Sequence, residues 1–360
     1  MIKSATTAEP STATAAMSIE QLDPIADPRW ARFVDATPGA SVFAHPAWLE
    51  LLARCYRYEF SSLCTTGDDG ELVVGMPLAR VESRLTGRRL VSLPFSDHCP
   101  PVRAAGAGPE ADLRLAEALA DLRRSSALKI EIHDALPLVD GAHVVSRFLL
   151  HRLELENDAE AVLGRASKSQ KRKRTKARRE GVTTRVGTDR AALDTFYGLH
   201  LGTRRRLGVP TQPRRFIRGF EQLFARGLGY VLIAEYQGQP IAAAVFLTFG
   251  DTTVYKYGAS DERHLALRPN NLVMAEAIRM ACETGHTSFD FGRTDADNAG
   301  LAAFKRSFGA AERELSYTYL ADDVPAEGHG KLDKVLAGVI QRGPKWAGRA
   351  IGSALYRHVG

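Results

Sequence analysis

Cysteine is scarce in this chain, four in 360 residues (Cys55, Cys64, Cys99 and Cys282), and no two of them form a CxxC pair. That scatter excludes a disulfide framework and leaves no thiol motif for structural zinc or redox work, so no metal is expected. Long apolar runs are missing too. Nothing approaches the 18 or more uncharged apolar residues of a membrane-spanning helix, and the N-terminus has no compact apolar block of the secretory kind, so a cytoplasmic protein is expected. Two absences are local: residues 165–179 contain no acid, and residues 261–270 contain no glycine. What is present is a globular composition, 44% hydrophobic, 25% charged and 8% aromatic, on a chain long enough for two domains. Cys99 adjoins His98, but catalytic Cys and His are normally distant in sequence, which favours packing for the thiol.

The net charge is +6, and it is concentrated. Residues 165–179 hold nine Lys or Arg; without them 39 basic residues face 42 acidic ones. A cationic element on a near-neutral body is the footprint of a polyanion contact, whether nucleic acid, a membrane surface or a diphosphate-bearing substrate. The alternative is a solvated helix face, although no interleaved carboxylates neutralise it.

The Ala, Thr and Ser tract 1–17 has no periodicity and is predicted disordered. In a first domain, 18–160, helices are predicted at Pro46 to Tyr56 and Glu110 to Arg124, and strands at Glu71 to Arg80, Leu128 to His133 and Phe148 to Glu156. A second domain, 161–325, opens on a basic helix, 167–180, with Ser167 as N-cap and Gly181 as its stop. Helices 191–207 and 214–224 follow, the latter with Phe216, Phe220 and Leu223 at i, i+4 and i+7. Residues 230–236, 241–249 and 252–258 then read as an antiparallel meander. After it come a helix 270–284, a strand 288–292, a short helix 300–306 and a strand 314–320. No internal repeat is visible in the sequence. The tail 326–360 is basic and amphipathic, with Val335, Val339, Trp346, Ile351 and Leu355 as its apolar positions; it either packs back on the first domain or meets a membrane surface.

Meander, helix, strand, aromatic-bearing short helix, Gly and final strand is an order that resembles the second half of the GNAT acyltransferase fold. Asn298, Ala302 or Ala303, Phe304 and Gly309 match the residues that usually precede and follow its aromatic pair, except that Phe304-Lys305 stands where many GNAT enzymes carry Phe-Tyr. Their coenzyme A pyrophosphate loop is Gly-rich, whereas Asp261 to Asn270 is bulky and contains Pro269. A GNAT-like half with that loop altered, a basic helix ahead of it, and the segments Phe289 to Gly292, Phe304 to Gly309 and Tyr255 to Ser260 resembles the FemABX family. The resemblance implies an α/β (α+β) fold of two tandem GNAT-like domains, each a mixed, mostly antiparallel sheet flanked by helices. It implies transfer of an aminoacyl group from aminoacyl-tRNA to an amine on a natural-product, peptidoglycan-type or other cell-envelope precursor, with no cofactor.

Aminolysis of an activated ester needs a neutral amine, a positioned carbonyl and a stabilised oxyanion. Lys305 is the resemblance's candidate to neutralise either that oxyanion or a phosphate of the acceptor, the alternative being a surface lysine; Phe304 packs beneath the site. Tyr255 and Tyr257 fall on one face of a regular strand and either line a pocket or pack in the core. Asp290, Arg293 and Asp295 lie on or after the cleft strand, to meet donor, phosphate or amine. Asp97 and His98 are the general-base candidates, against a structural Asp turn. Arg268 offers a side-chain anion contact, and Lys168, Lys171, Arg172 and Arg174 are the phosphate or RNA contacts. Two other functions compete: a coenzyme A thioester-dependent N-acyltransferase acting on a sugar or exopolysaccharide precursor, and a non-catalytic RNA or membrane-surface binder.

Overall fold

A computed structural model describes residues 17–83, 86–323 and 331–358. Residues 1–16 of the tract predicted disordered lie outside the described residues, while Met17 packs against the first-half core and a strand begins at Ser18. The first half runs β1 (Ser18–Leu22), α1 (Pro28–Ala36), α2 (Pro46–Tyr56), β2 (Glu59–Thr66), β3 (Leu72–Ser83), β4 (Gly87–Val91), β5 (Val102–Arg103), α3 (Pro109–Ser126), β6 (Lys129–Ile132) and β7 (Ala142–Glu154). After α4 (Ala159–Gly164) and α5 (Lys168–Arg179) come β8 (Thr183–Gly187), α6 (Arg190–Leu207), α7 (Arg214–Ala225), β9 (Gly229–Tyr236), β10 (Gln239–Phe249) and β11 (Thr252–Ser260). A 3-10 turn (Glu262–Leu267) leads into α8 (Pro269–Glu283), β12 (Ser288–Asp295), α9 (Ala299–Arg306) and β13 (Ala311–Leu320). The tail supplies α10 (Lys331–Arg342) and α11 (Lys345–Leu355).

The two halves repeat one order, strand, two helices, three strands, a helix and two more strands, with the short β5 added in the first half and α9 inserted between the last two strands of the second. The strands form one continuous sheet in the order β1-β2-β3-β4-β6-β13-β7-β12-β11-β10-β9-β8, with β5 beside β3. Each half contains one parallel pair bridged by a helix, β4 with β6 across α3 and β11 with β12 across α8. The final strand of each half then crosses over: β7 pairs with β12, β13 pairs with β6, and the two pair with each other at the centre. A cut at residue 160 therefore separates chain segments but runs through the middle of a shared sheet.

Apolar spacing explains the helices over that sheet. Phe216, Phe220 and Leu223 of α7 are all buried, and Trp48 of α2 meets Phe216 and Phe220 with ring centroids 6.1 and 5.9 Å apart, so one core joins both halves. Helix α5 is capped as its sequence predicts: Ser167 Oγ accepts from the Gln170 N–H at 3.2 Å, and Gly181 takes φ +86° just beyond its end. The tail departs from expectation. Among the described residues, helices α10 and α11 lie on α6 of the second half, and the last turn, residues 356–358, reaches the first half, where Tyr58 Oη donates to the Tyr356 carbonyl at 3.2 Å. Ile340, in α10, is buried at 1% exposure, whereas Val339 is 50% exposed. Gly352 sits so close that a Cβ there would lie 1.9 Å from the Thr211 carbonyl oxygen, so α11 docks through a residue without a side chain. The side chains of Val335 and Trp346 lie outside the described residues. No helix among the described residues is long and apolar enough to cross a membrane.

Candidate active site

The parallel pair β11 and β12 is bonded only over Thr252 to Val254 and Ser288 to Asp290, after which the strands part. Two cavities lie where they part. One, of 180 Å³, is walled by Ser41 to Phe43, Asp97, His98, Arg152, Asp251, Asp290 and Gly292, with contributions from both halves. The other, of 260 Å³, is walled by Thr203, Arg206, Tyr255, Ser260, Asn270, Met274, Leu301 and Phe304. Gly292 borders the first and Tyr255 the second, and a Cβ on Gly292 would stand 3.5 Å from the Tyr255 carbonyl oxygen.

Lys305 is buried next to both, bonded to Gly292 of the first and adjacent in sequence to Phe304 of the second. Its Nζ donates to the Gly292 carbonyl at 2.7 Å and the Arg293 carbonyl at 2.9 Å, and it is 2% exposed. Burial disfavours the ammonium and pushes its pKa down to about 8, against the opposing pull of Asp97, Asp290 and Asp295. The surface-lysine alternative is therefore excluded. Asn298 Oδ1 caps α9 by accepting from the Leu301 N–H, which fixes the helix carrying Lys305 and Phe304. Phe304 lines the second cavity and meets Phe308 edge-on at 5.2 Å.

Asp97 sits opposite. Its carboxylate lies 3.7 Å from Lys256 Nζ and 3.8 Å from Arg293 Nε, and Oδ2 would be 2.6 Å from a Cβ on Gly292. Arg293 stacks on Phe148, 4.4 Å from the ring centroid, and donates to Tyr317 Oη at 2.6 Å; that hydroxyl donates in turn to the Asp97 carbonyl at 2.9 Å. Asp290 accepts from Arg152 Nε at 3.1 Å and from the Gly292 N–H at 2.7 Å, so it shapes the turn of β12 as well as the cavity wall. His98 borders the same cavity and its Nε2 lies 3.1 Å from Asp134 Oδ1. The neighbouring Cys99 thiol is fully buried and pushed well above its ordinary range, unfit to act as a thiolate. Asp295 is exposed and borders neither cavity.

Three placements differ from the sequence reading. Tyr255 and Tyr257 do not share a face: Val245 pairs with Tyr257 and Phe246 with Tyr255, so Lys256 is the extra residue of a β-bulge. Tyr255 lines the second cavity, while Tyr257 packs in the core against Phe220, centroids 6.2 Å apart. Arg174 does not join the outward cations. With Gln170 and Ala177 it lies on the inner side of α5, its Nη2 3.4 Å from Glu160, whereas Lys168, Lys171 and Arg172 are exposed. Arg268 is exposed and left-handed, φ +63°, at the start of α8. Pro269 has no N–H, and the Asn271 and Leu272 N–H groups both reach the Arg268 carbonyl, at 3.1 and 3.4 Å. The helix terminus that cradles a pyrophosphate in the standard mode is thus short of free donors.

Sequence reasoning missed Lys256, Arg152 and Tyr317. The signal for Lys256 was a lone cation between two tyrosines in an apolar strand; Arg152 and Tyr317 reach the site only because β7 and β13 cross between halves.

Comparison with known proteins agrees with this geometry. The Acetyltransferase (GNAT) domain family matches residues 164–306. A lipid II:glycine glycyltransferase of Staphylococcus epidermidis is 33% identical over 109 residues, 29% of this chain and 23% of the relative; one from Staphylococcus aureus is 31% identical over 106 residues, 28% and 22% respectively. The chain thus matches under a quarter of the length of these relatives. Among solved structures, FemX superposes with a TM-score of 0.66 at 16% identity over 90% of this chain and 100% of that one. A tandem GNAT protein from the clavulanic acid biosynthesis pathway gives 0.50 at 14% identity, over 87% and 100%. Fold and matched domain together define the class, a tandem GNAT-fold protein. Within the residues it matches, the chain resembles the lipid II:glycine glycyltransferases, and its fold is similar to that of FemX.

Proposed function

We propose that the protein is an aminoacyltransferase that forms an amide between an aminoacyl group, delivered as its ester on tRNA, and an amine-bearing acceptor. The observation that carries this reading is the Lys305 ammonium buried on the Gly292 and Arg293 carbonyls, where Gly292 lines the cavity that holds Asp97 and the adjacent Phe304 lines the other. The acceptor amine occupies the first cavity, the aminoacyl ester the second. The amine nitrogen attacks the ester carbonyl carbon and its proton passes to Asp97. Lys305, through its remaining N–H, stabilises the oxyanion; the carbon–oxygen bond to the ribose breaks, and that oxygen leaves with the proton Asp97 accepted from the amine. The ester supplies the driving force, and no covalent enzyme intermediate is required.

Three features support the donor. The relatives of known activity are glycyltransferases acting on lipid II. The start of α8 has few free N–H groups for a coenzyme pyrophosphate. Lys168, Lys171 and Arg172 present exposed cations with no carboxylate partner among the described residues. A cell-envelope or natural-product precursor is the acceptor class, and the cytosol, where charged tRNA is found, is the proposed location.

A second reading, acyl transfer from a coenzyme A thioester to a sugar or exopolysaccharide precursor, draws on the acetyltransferase family match over residues 164–306. One paired assay separates the two. Purified protein is offered labelled aminoacyl-tRNA or labelled acetyl-CoA with amine acceptors, with and without RNase. The aminoacyl reading requires RNase-sensitive transfer from tRNA; transfer that resists RNase and needs coenzyme A defeats it.

A further inference from the structure

Lys256 is a second buried lysine at the site, facing the same Asp97 carboxylate that stands against Gly292. Its side chain is 4% exposed, and Nζ lies 4.9 Å from the ring centroid of Phe43, 5.3 Å from that of Tyr257 and 5.9 Å from that of Trp48. An ammonium in such a cage is held by cation–π attraction, but it has given up water and needs hydrogen-bond acceptors. It finds one in the Phe95 carbonyl, at 2.5 Å, and faces the Asp97 carboxylate at 3.7 Å. Burial lowers its pKa and Asp97 opposes that shift.

The segment it grips is strained. Leu93 and Phe95 have φ +61° and +62°, a left-handed conformation that large side chains rarely adopt. Such backbone persists only where its surroundings over-determine it. Here Ser96 Oγ donates to the Leu93 carbonyl at 2.5 Å, Tyr317 Oη to the Asp97 carbonyl at 2.9 Å, and Lys256 to the Phe95 carbonyl between them. The β-bulge at Lys256 turns its side chain out of the strand's alternation and toward this segment.

We propose that Lys256 is a positioning residue, whose caged ammonium ties down residues 93–97 and so sets the Asp97 carboxylate against Gly292 in the cavity between the halves. It touches neither reacting group; it acts through Asp97. The inference rests on the aminoacyl-transfer reading only in the use made of Asp97, since the placement is a property of the free protein.

The test uses Lys256→Met, which fills the cage without charge or donor, and Lys256→Gln, which keeps a donor for the Phe95 carbonyl. Crystal structures and amide hydrogen exchange of the full chain are compared with wild type. In Lys256→Met the Asp97 carboxylate leaves Gly292 and amide protection at residues 95–97 falls at least tenfold, while β9 and β10 keep theirs. Lys256→Gln recovers most of the protection. With the donor and acceptor found in the paired assay, Lys256→Met lowers kcat at least tenfold and moves KM less than threefold. Unchanged Asp97 position and unchanged protection in both variants would overturn the proposal and leave the transfer reading untouched. A displaced Asp97 with wild-type kcat would keep the positioning role and remove Asp97 from the chemistry. If Lys256→Met does not fold, Lys256→Leu, which likewise lacks charge and donor, takes its place in the same comparison, with the same outcomes supporting or overturning the proposal.

Discussion

Lys305 Nζ donates to the Gly292 carbonyl at 2.7 Å, and the same glycine has the Asp97 carboxylate against its α-carbon. Cation and carboxylate thus meet one residue of β12 from different directions, at the point where β11 and β12 have parted. Replacing Lys305 with Met retains most of the buried methylene volume while removing the charge. Turnover is expected to fall about 100-fold or more, the usual effect of losing an oxyanion donor. The melting temperature should move little, because two unpaired carbonyls are offset by the relief of a buried ammonium. Wild-type turnover in Lys305→Met, measured as labelled amide formed per minute, removes Lys305 from the mechanism.

The same lysine fixes a pH dependence. Its pKa falls from 10.5 to about 8 on folding, so between those values the unfolded chain binds more protons than the folded one. Stability contributed by this site therefore rises with pH from about 8 to 10.5, and below about 8 the buried ammonium exerts its full desolvation cost. Activity runs the other way: turnover should decline as pH climbs through about 8, because the oxyanion loses its cation. Urea midpoints and kcat measured from pH 6 to 10 should move in opposite directions in the wild type. Lys305→Met should lose the decline in kcat and show a smaller rise in urea midpoint, since Lys256, whose pKa burial also lowers, still contributes a rise of the same sign.

Gly292 has φ +70°, and a Cβ would stand 2.6 Å from Asp97 Oδ2. Gly292→Ala therefore combines a left-handed alanine, costing about 1–2 kcal/mol, with expulsion of the carboxylate. Denaturant unfolding should show a loss of that order. A crystal structure should show Asp97 turned away from β12, and retention of Asp97 in place would show that the contact yields more easily than its geometry implies.

On α5 the exposed and inner cations can be told apart by experiment. Changing Lys168, Lys171 and Arg172 together to Gln should weaken tRNA binding and lower the slope of log affinity against log salt by about 2–3, given roughly 0.9 per phosphate contact. Arg174→Gln, which removes the partner of Glu160, should leave that slope unchanged. An unaltered slope in the triple variant moves the RNA contact elsewhere.

Much of this fold was legible because apolar spacing and turn residues are local signals. The meander 230–258, the helix carrying Phe216 and Phe220, and Lys305 on a short helix beside the cleft strand are all found where the sequence puts them. What local patterning does not encode is pairing between distant strands. The crossing of β7 and β13, which brings Arg152 and Tyr317 to the site, depends on the whole sheet. The bulge at Lys256 is a register shift of one residue, set by contacts with β10, and it reverses the side of every residue beyond it. That single shift separates Tyr255 from Tyr257. Arg174 was misdirected for a similar reason: a helix whose charges surround it shows its inner face only through what packs against it.

Asp97 and His98 are adjacent in sequence and border the same cavity, yet their surroundings differ. His98 is 8% exposed and its Nε2 faces Asp134, an arrangement that holds the ring in place and leaves Nδ1 as the nitrogen for any proton transfer. Asp97 has two cations within 4 Å and its carboxylate against the strand that carries the Lys305 contact. Asp97→Asn is isosteric and keeps a hydrogen-bonding group beside Lys256 and Arg293, so it should fold as the wild type does. It should lower kcat about 100-fold or more if the carboxylate accepts the amine proton. His98→Gln should lower kcat less than tenfold. The opposite ranking, measured at saturating donor and acceptor, would transfer the base role to His98 and leave Asp97 as a structural anchor for the 93–97 segment.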